Sequence, residues 1–277
     1  MAVVAGASAA ISKKGDKMSL NQNIIQGYLE DLSEEISVIT YEKTDSTNTR
    51  AKILAEEGAH KRAILVASEQ TAGRGRLGRS FSSNKGKGLY LSILIGEDLP
   101  IDFATSLTTY MAVIASHVLE DVAGLNPQIK WVNDLYSSGK KLAGILTEGK
   151  GKCEGVLSYA IVGIGINLLK QEFPEEVKDI ATTVEDECGK DVDINLLTAR
   201  IVKKFFDNLN LVGTKELAEE YKSRCFLIGC DVTVIKPTAN YPATVKDITD
   251  RCELIITLPD GNEEILSTGE VSIRPKS

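Results

Sequence analysis

The chain has 277 residues, 43% of them hydrophobic, and 32 Lys and Arg against 39 Asp and Glu give a formal net charge of −7. That length supports one large domain with a full core and a small second one, and the acidic balance argues against a general nucleic-acid binder, which is more often basic over its domain. No run approaches the roughly 20 apolar residues that span a bilayer, and five cysteines without a CxxC, beside only two histidines, argue against structural zinc and read as free thiols of a reducing cytosol.

The first 18 residues, MAVVAGASAAISKKGDKM, have no basic segment ahead of their apolar stretch, as a signal peptide would. They read as a mobile tail (1–19), an alternative start before Met18 or a remnant of cloning. One helix fits around 20–32. Residues 37–41, SVITY, alternate as a strand, and Asp45 or Ser46 can cap a helix that ends before Gly58, a residue type favoured just beyond helix ends. AILVAS (63–68) and GLYLSILI (88–95) are short buried strands, and GRGRLGR (73–79) lies between them. After Pro100, residues Phe103, Leu107, Met111, Ile114 and Val118 share one helical face, and that helix should end near Gly124. QIKWVNDLY (128–136), KLAGILTEG (141–149) and VLSYAIVGIGINL (156–168) follow as strands with short turns. The last is apolar nearly throughout, as a central strand buried on both faces is. Residues 193–209 and 214–224 read as amphipathic helices. Short strands with a PDG turn at 259–261 then form a small all-β module of barrel size. The irregular mixture over 20–225 is α+β rather than strict βαβ alternation, with the β module at 226–277.

GRGRLGR concentrates positive charge on flexible backbone in an acidic chain. Glycines let the backbone wrap closely around a ligand, and arginines supply forked donors for carboxylate or phosphate. The stretch reads as an anion-binding loop that orders on its ligand; a solvated basic hairpin or an arginine-glycine RNA-binding segment has the same composition. A Walker phosphate loop is absent, and GIGIN (163–167) lies within a strand and lacks the third glycine of a dinucleotide fingerprint. DSTN (45–48) caps a helix, with hydrogen bonds to a small polar ligand as the alternative. Gln70 ends its strand just before the loop, as a surface residue or as an amide that both donates and accepts. In KWVND (130–134), Trp131 reads as core, while Asn133 and Asp134 either make a turn or bind a base edge and a magnesium ion. Lys141 is a solvated strand end or projects into a phosphate site. Asn167 follows the glycine-bearing strand, where missing side chains leave room for a flat ligand. Each bland reading is favoured singly; their joint occurrence by chance is far less so.

In order, spacing and identity, DSTN, QTAGRGRLGR, KWVND, KLAGIL-E and GIGIN resemble the biotin protein ligase (biotin–[acetyl-CoA carboxylase] ligase) family, and TGEVSIR resembles the end of its C-terminal domain. The resemblance covers about residues 37–277. It implies a mixed-sheet catalytic domain of the biotin/lipoate ligase type followed by an SH3-like β-barrel. It also implies a two-step reaction. Biotin and ATP give biotinyl-5′-AMP and pyrophosphate with Mg²⁺, and a specific lysine of a biotin carboxyl carrier domain then takes the biotin. Position by position, it places Ser46, Thr47 and Asn48 at the biotin ring end. Gln70, Gly73, Arg74, Gly75 and Arg76 surround biotin, with Arg76 near its carboxylate. Lys141, beside Gly144, stands between that carboxylate and the α-phosphate, and Arg79 faces the phosphates. Phe81, Lys130, Asn133 and Asn167 meet the adenylate, with Phe81 beside adenine. Asp134 positions magnesium, held mainly by the phosphates, or assists deprotonation of the carrier lysine. Lys141, Arg76, Arg79 and Asp134 form the implied catalytic set, and Leu77 marks a hinge between the biotin and phosphate ends of the loop.

Val132 stands where the family commonly has proline, and Phe81 where it often has tryptophan. Some members carry an N-terminal DNA-binding domain; only about 36 residues precede the first strand here, so a ligase without repressor function is expected. The implied partner is the carrier domain of a biotin-dependent carboxylase, in the cytoplasm, with no nucleic acid and no membrane. A homodimer is compatible with the family's habit of pairing through the central sheet. Two other readings compete. A lipoate or octanoyl transfer protein shares the catalytic fold but lacks this loop pattern. A nucleic-acid module built on GRGRLGR is disfavoured by the acidic balance and by a loop without aromatics.

Overall fold

Period-2 alternation and buried apolar runs build one large sheet. The structure, a computed structural model, describes residues 18–29, 32, 35–58, 60–236, 239–267 and 272–275. Most of the expected tail therefore lies outside the described residues. β1 (Ser37–Tyr41), β2 (Arg62–Ala67) and β3 (Gly88–Ile95) follow the expected runs. β4 (Leu99–Pro100), β5 (Gln128–Lys130), β6 (Asp134–Ser137), β7 (Lys140–Cys153) and β8 (Val156–Asn167) complete the sheet. Its order is β1-β2-β3-β8-β7-β6-β5, with β4 on β8. β1 and β2 are parallel and every other pair is antiparallel, so the sheet is mixed. β8 is central, between β3 and β7.

Four helices cover one face: α1 (Gln22–Tyr28), α3 (Ile101–Ala123), α5 (Ile194–Asp207) and α6 (Lys215–Arg224). α3 ends where expected, at Gly124 with φ 70°, a left-handed value that costs glycine little. Tyr110, Phe205 and Tyr221 are wholly buried, each contributing about 1.5–3 kcal/mol by leaving water. α2 (Thr47–Glu57) lies on the opposite face, where Ala51 packs with Leu65, Leu94 and Tyr159. Ser46 is the residue ahead of α2 but makes no capping bond with its side chain. Asp45 instead accepts from Ser46 N at 2.7 Å and Arg50 Nε at 2.8 Å.

QIKWVNDLY, read as a strand segment with a turn at Asn133 and Asp134, is a hairpin: β5, a turn at 131–133 and β6, which pair antiparallel. The Trp131–Val132 peptide bond in the turn is cis. The turn is held from outside the sheet, by Tyr221 Oη donating to Val132 O at 3.0 Å and by the Trp131 indole donating to Cys252 O at 2.8 Å. The short α4 (Val184–Cys188) and β4 were not foreseen, being too brief for any periodicity to register.

The C-terminal part forms β9 (Asp231–Ile235), β10 (Asn240–Ile248), β11 (Leu254–Thr257), β12 (Glu263–Leu266) and β13 (Ser272–Pro275). They make a five-stranded antiparallel sheet in the order β12-β11-β10-β9-β13. Among the described residues no pairing joins its two edge strands, β12 and β13. Val232, Val245 and Ile256 are buried in the same core as α3 and α6, and Lys222 pairs with Asp247 at 2.5 Å. All five cysteines are unpaired. Among the described residues no helix is long and apolar enough to cross a membrane.

Candidate active site

A cavity of about 580 Å³ opens on the sheet between the N-terminus of α2, the 73–81 loop, the 131–133 turn and the start of β7. One part of its wall is polar and connected. Gln70 Oε1 accepts from Thr47 N at 2.8 Å, and Gln70 Nε2 donates to Ser83 Oγ at 2.9 Å. Ser92 Oγ donates to Asn48 Oδ1 at 2.6 Å and lies 2.7 Å from Thr47 Oγ1. Asn48 Nδ2 donates to Glu148 Oε2 at 2.8 Å. Every partner in this chain is satisfied, so its geometry is fixed before a ligand arrives.

The floor is made by glycine. Gly144 of β7 and Gly165 of β8 face each other in register, and the Phe81 ring lies against both. A Cβ on Gly165 would overlap that ring, and one on Gly163 would overlap the Asn48 amide. Phe81 and Asn48 thus lie directly against Gly165 and Gly163, and both glycines also line the cavity, where a flat ligand was expected. Gly165→Ala is expected to cost about 1–3 kcal/mol of stability through overpacking, measured by urea unfolding. The loss should shrink by more than half in a Phe81→Ala background. A Gly165→Ala chain as stable as the parent would mean that the ring does not rest on this strand.

The basic loop is a small hairpin. Arg74 and Ser80 pair through their backbones, Gly75 N donates to Arg79 O at 2.7 Å, and a single 3₁₀ turn spans Arg76–Gly78. Leu77 sits at φ 55° and is 66% exposed, a left-handed conformation unfavourable for a leucine. The arginines divide. Arg74 pairs with Glu148 at 2.9 Å at the polar end. Arg76 reaches the opposite wall, where its Nη1 donates to Asn133 Oδ1 at 3.1 Å. Burial draws the Arg76 guanidinium below its usual pKa, and the nearby Asp134 opposes that shift; arginine nonetheless stays a cation. Arg79 lines the outer part of the cavity.

Lys141 lines the same cavity near the start of β7. β7 is bulged there: Leu135 pairs with Ala143 while the next residue, Tyr136, pairs with Lys141, which leaves Leu142 extra and re-aims the neighbouring side chain. Asp134 Oδ1 lies 2.8 Å from Lys141 Nζ. The pair is ionic, with no hydrogen bond to that buried carboxylate oxygen beside it. No group of three or more His, Cys, Asp or Glu that could hold a metal occurs among the described residues. Any metal here would depend on oxygens brought by a substrate.

Of the residues singled out from sequence, Ser46, Thr47, Asn48, Gln70, Arg74, Gly75, Arg76, Arg79, Phe81, Lys130, Asn133, Asp134, Lys141 and Gly144 all line this cavity. Gly73 and Asn167 do not. Gly73 has no room for a Cβ beside Phe81 O and Ser83 Oγ, and buried Asn167 donates to Thr182 O at 3.1 Å. Phe81 lies on the glycine floor between the polar end and Lys141. Sequence reading missed Ser92, Ser83 and Glu148 as site residues. Glu148 was within the quoted KLAGIL-E pattern, and Ser92 is the only serine in an otherwise apolar strand, the one signal that could have marked it.

Residues 40–167 match the Biotin/lipoate A/B protein ligase family, and residues 227–274 match the Biotin protein ligase C terminal domain. The bifunctional ligase/repressor BirA of Bacillus subtilis is 39% identical over 158 residues, which are 56% of this chain and 48% of that protein. The chain thus spans about half the length of that relative. The biotin–[acetyl-CoA-carboxylase] ligase of Mycobacterium tuberculosis is 30% identical over 241 residues, 83% of this chain and 86% of that protein. Among solved structures, the biotin protein ligase from Aquifex aeolicus in complex with biotin and ATP aligns with a TM-score of 0.72 at 30% identity, over 87% of this chain and 99% of that one.

Proposed function

The chain belongs to the biotin/lipoate A/B protein ligase family, and from that premise we propose that it is an ATP-dependent biotin–protein ligase. In the first step an oxygen of the biotin carboxylate attacks the α-phosphorus of ATP, and pyrophosphate leaves. In the second, the amine of a carrier-domain lysine attacks the carbonyl carbon of the mixed anhydride, loses a proton and releases AMP. The observation that carries this reading is that one cavity is lined both by the polar set Thr47, Asn48 and Gln70 and by the cations Lys141, Arg76 and Arg79, with Lys141 paired to Asp134 and Arg76 bonded to the adjacent Asn133. A carboxylate and a phosphate repel each other strongly in a site drier than water. Cations fixed at their meeting point offset that repulsion and stabilise charge that grows in the transition state.

In this reading Thr47, Asn48 and Gln70, with Ser46, receive the polar ring system. Phe81 and the paired glycines shape the slot below it. Arg74, Gly75 and Arg76 fold over the ligand, with Arg76 near its carboxylate, and Arg79 with Lys130 serves the phosphate and nucleotide end. Asn133 steadies Arg76 and meets the adenylate. Asp134 is a wall carboxylate that would share a Mg²⁺ with the phosphates, and that ion would supply further charge neutralisation. Asn167 acts indirectly, by anchoring the Thr182 segment. The partner is a biotin carboxyl carrier domain, and the compartment is the cytoplasm.

The test is to mix the protein with ATP and Mg²⁺ and add biotin, lipoate or neither. Pyrophosphate should appear only with biotin, followed by label transfer to a carrier domain. Release with lipoate alone would move the chain to the other branch of its family, and no acid-dependent release would sink the reading.

A further inference from the structure

Glu187 lies on α4, outside the cavity wall, and no motif pointed to it. Its Oε2 accepts from Ser137 Oγ and Ser138 Oγ, both at 2.7 Å, and its Oε1 accepts from Thr182 Oγ1 at 2.7 Å. Those hydroxyls belong to two separate backbone segments that flank Lys141. On one side Tyr136 pairs with Lys141 and Ser137 with Lys140, across a turn whose Ser138 and Gly139 both have positive φ, 48° and 77°. On the other, Lys141 N donates to Ile180 O at 2.7 Å and Lys141 O accepts from Thr182 N at 2.9 Å.

We propose that Glu187 is a positioning residue for Lys141: one carboxylate gathers the ends of the two segments that hold the lysine backbone on either side. The proposal rests on the reading of Lys141 given above. Lys141 Nζ sits at the end of a flexible four-carbon stem and at a bulge, where the sheet alone defines direction poorly. A tilt of the strand displaces that nitrogen, and a misplacement of about 1 Å can cost on the order of 10²-fold in rate. Hydroxyl bonds to an ionised acceptor are short and about twice as strong as neutral ones, which suits a carboxylate to this task better than an amide. They also hold Ser138 in a left-handed conformation unfavourable for serine. Burial alone would raise the Glu187 pKa. The hydroxyls of Ser138, Thr182 and Ser137, together with the charge of Lys140, outweigh that effect and keep it below the ordinary carboxylate range.

The experiment compares wild type, Glu187→Gln and Glu187→Asp in biotin-dependent pyrophosphate release, with KM for biotin and ATP, melting temperature and transfer from preformed biotinyl-adenylate measured beside it. Glu187→Gln should lower kcat for adenylation by at least about 10-fold, with both KM values within about threefold, melting little changed and transfer largely kept. Glu187→Asp, which preserves the charge, should recover part of the loss. A Glu187→Gln enzyme with kcat within twofold of wild type overturns the proposal, as does one in which both half-reactions fall together with the folded fraction. If Glu187→Gln does not fold, Thr182→Val is judged by the same criteria. A wild-type protein that releases no pyrophosphate with biotin removes the parent reading instead, so the two failures are distinct.

Discussion

Lys141→Ala is expected to lower biotin-dependent pyrophosphate release by about 10²–10³-fold, the scale of losing one preorganised charge donor in a protected site. The structure makes the loss worse than simple deletion. Lys141 Nζ is 2.8 Å from Asp134 Oδ1, so removing the ammonium exposes a carboxylate to two anionic reactants. Like charges about 4 Å apart repel by about 4 kcal/mol at an effective dielectric constant near 20. Asp134→Asn added to Lys141→Ala should therefore recover part of the rate. Melting should change little, because Lys141 is held by its backbone rather than by packing of its side chain. Pyrophosphate release at more than a tenth of the wild-type rate would remove Lys141 from the chemical step.

Arg76→Gly should separate synthesis of the adenylate from its retention. Arg76 is the loop residue that crosses the cavity, bonding Asn133 on the far wall, whereas Arg74 bonds Glu148 on the near side. Loss of a charged hydrogen bond removes about 1.5–3 kcal/mol, or about 10- to 100-fold in dissociation. The reactive anhydride would then leave the protein and acylate exposed lysines elsewhere. The measurement is biotin incorporation into a bystander protein, with adenylate dissociation followed in parallel. Arg74→Gly should leak less, since that arginine does not close the cavity. Equal retention in wild type and Arg76→Gly would show that the loop closes without this contact.

Much of the frame was legible because burial imprints itself on local pattern. Five apolar residues at helical spacing after Pro100 gave α3, and a strand apolar on both faces gave the centre of the sheet. The turn at Trp131–Asn133 was legible only in part: Asn133 and Asp134 marked a turn, but Trp131 and Val132 are as apolar as strand residues, and what holds them is Tyr221 and Cys252, remote in sequence. The individual site motifs were legible as chemistry: DSTN, GRGRLGR, KWVND and Lys141 converge on one cavity. What joins them was not. Ser92, Ser83, Glu148 and Glu187 act through partners between 2 and 100 positions away, and nothing in a single chain read in order announces such pairings. Gly163 and Gly165 were legible as positions of close approach, but glycine in a strand does not say whether a ligand or another part of the chain approaches; here Phe81 and Asn48 lie against them at the cavity wall.

The clamp on the 131–133 turn bears on how the chain divides into working parts. A boundary near residue 226 separates two textures of sequence, and among the residues that line the cavity only Phe226 lies beyond it. Yet a fragment ending there would lose the carbonyl of Cys252 that receives the buried Trp131 indole, and an orphaned buried donor costs about 1–3 kcal/mol. That penalty would fall two residues from Asn133, at the one turn that faces the loop across the cavity. The smallest unit that can be excised with its site intact is therefore larger than the catalytic sheet: modules that look separable in sequence share a buried seam, which the common core and the Lys222–Asp247 pair extend.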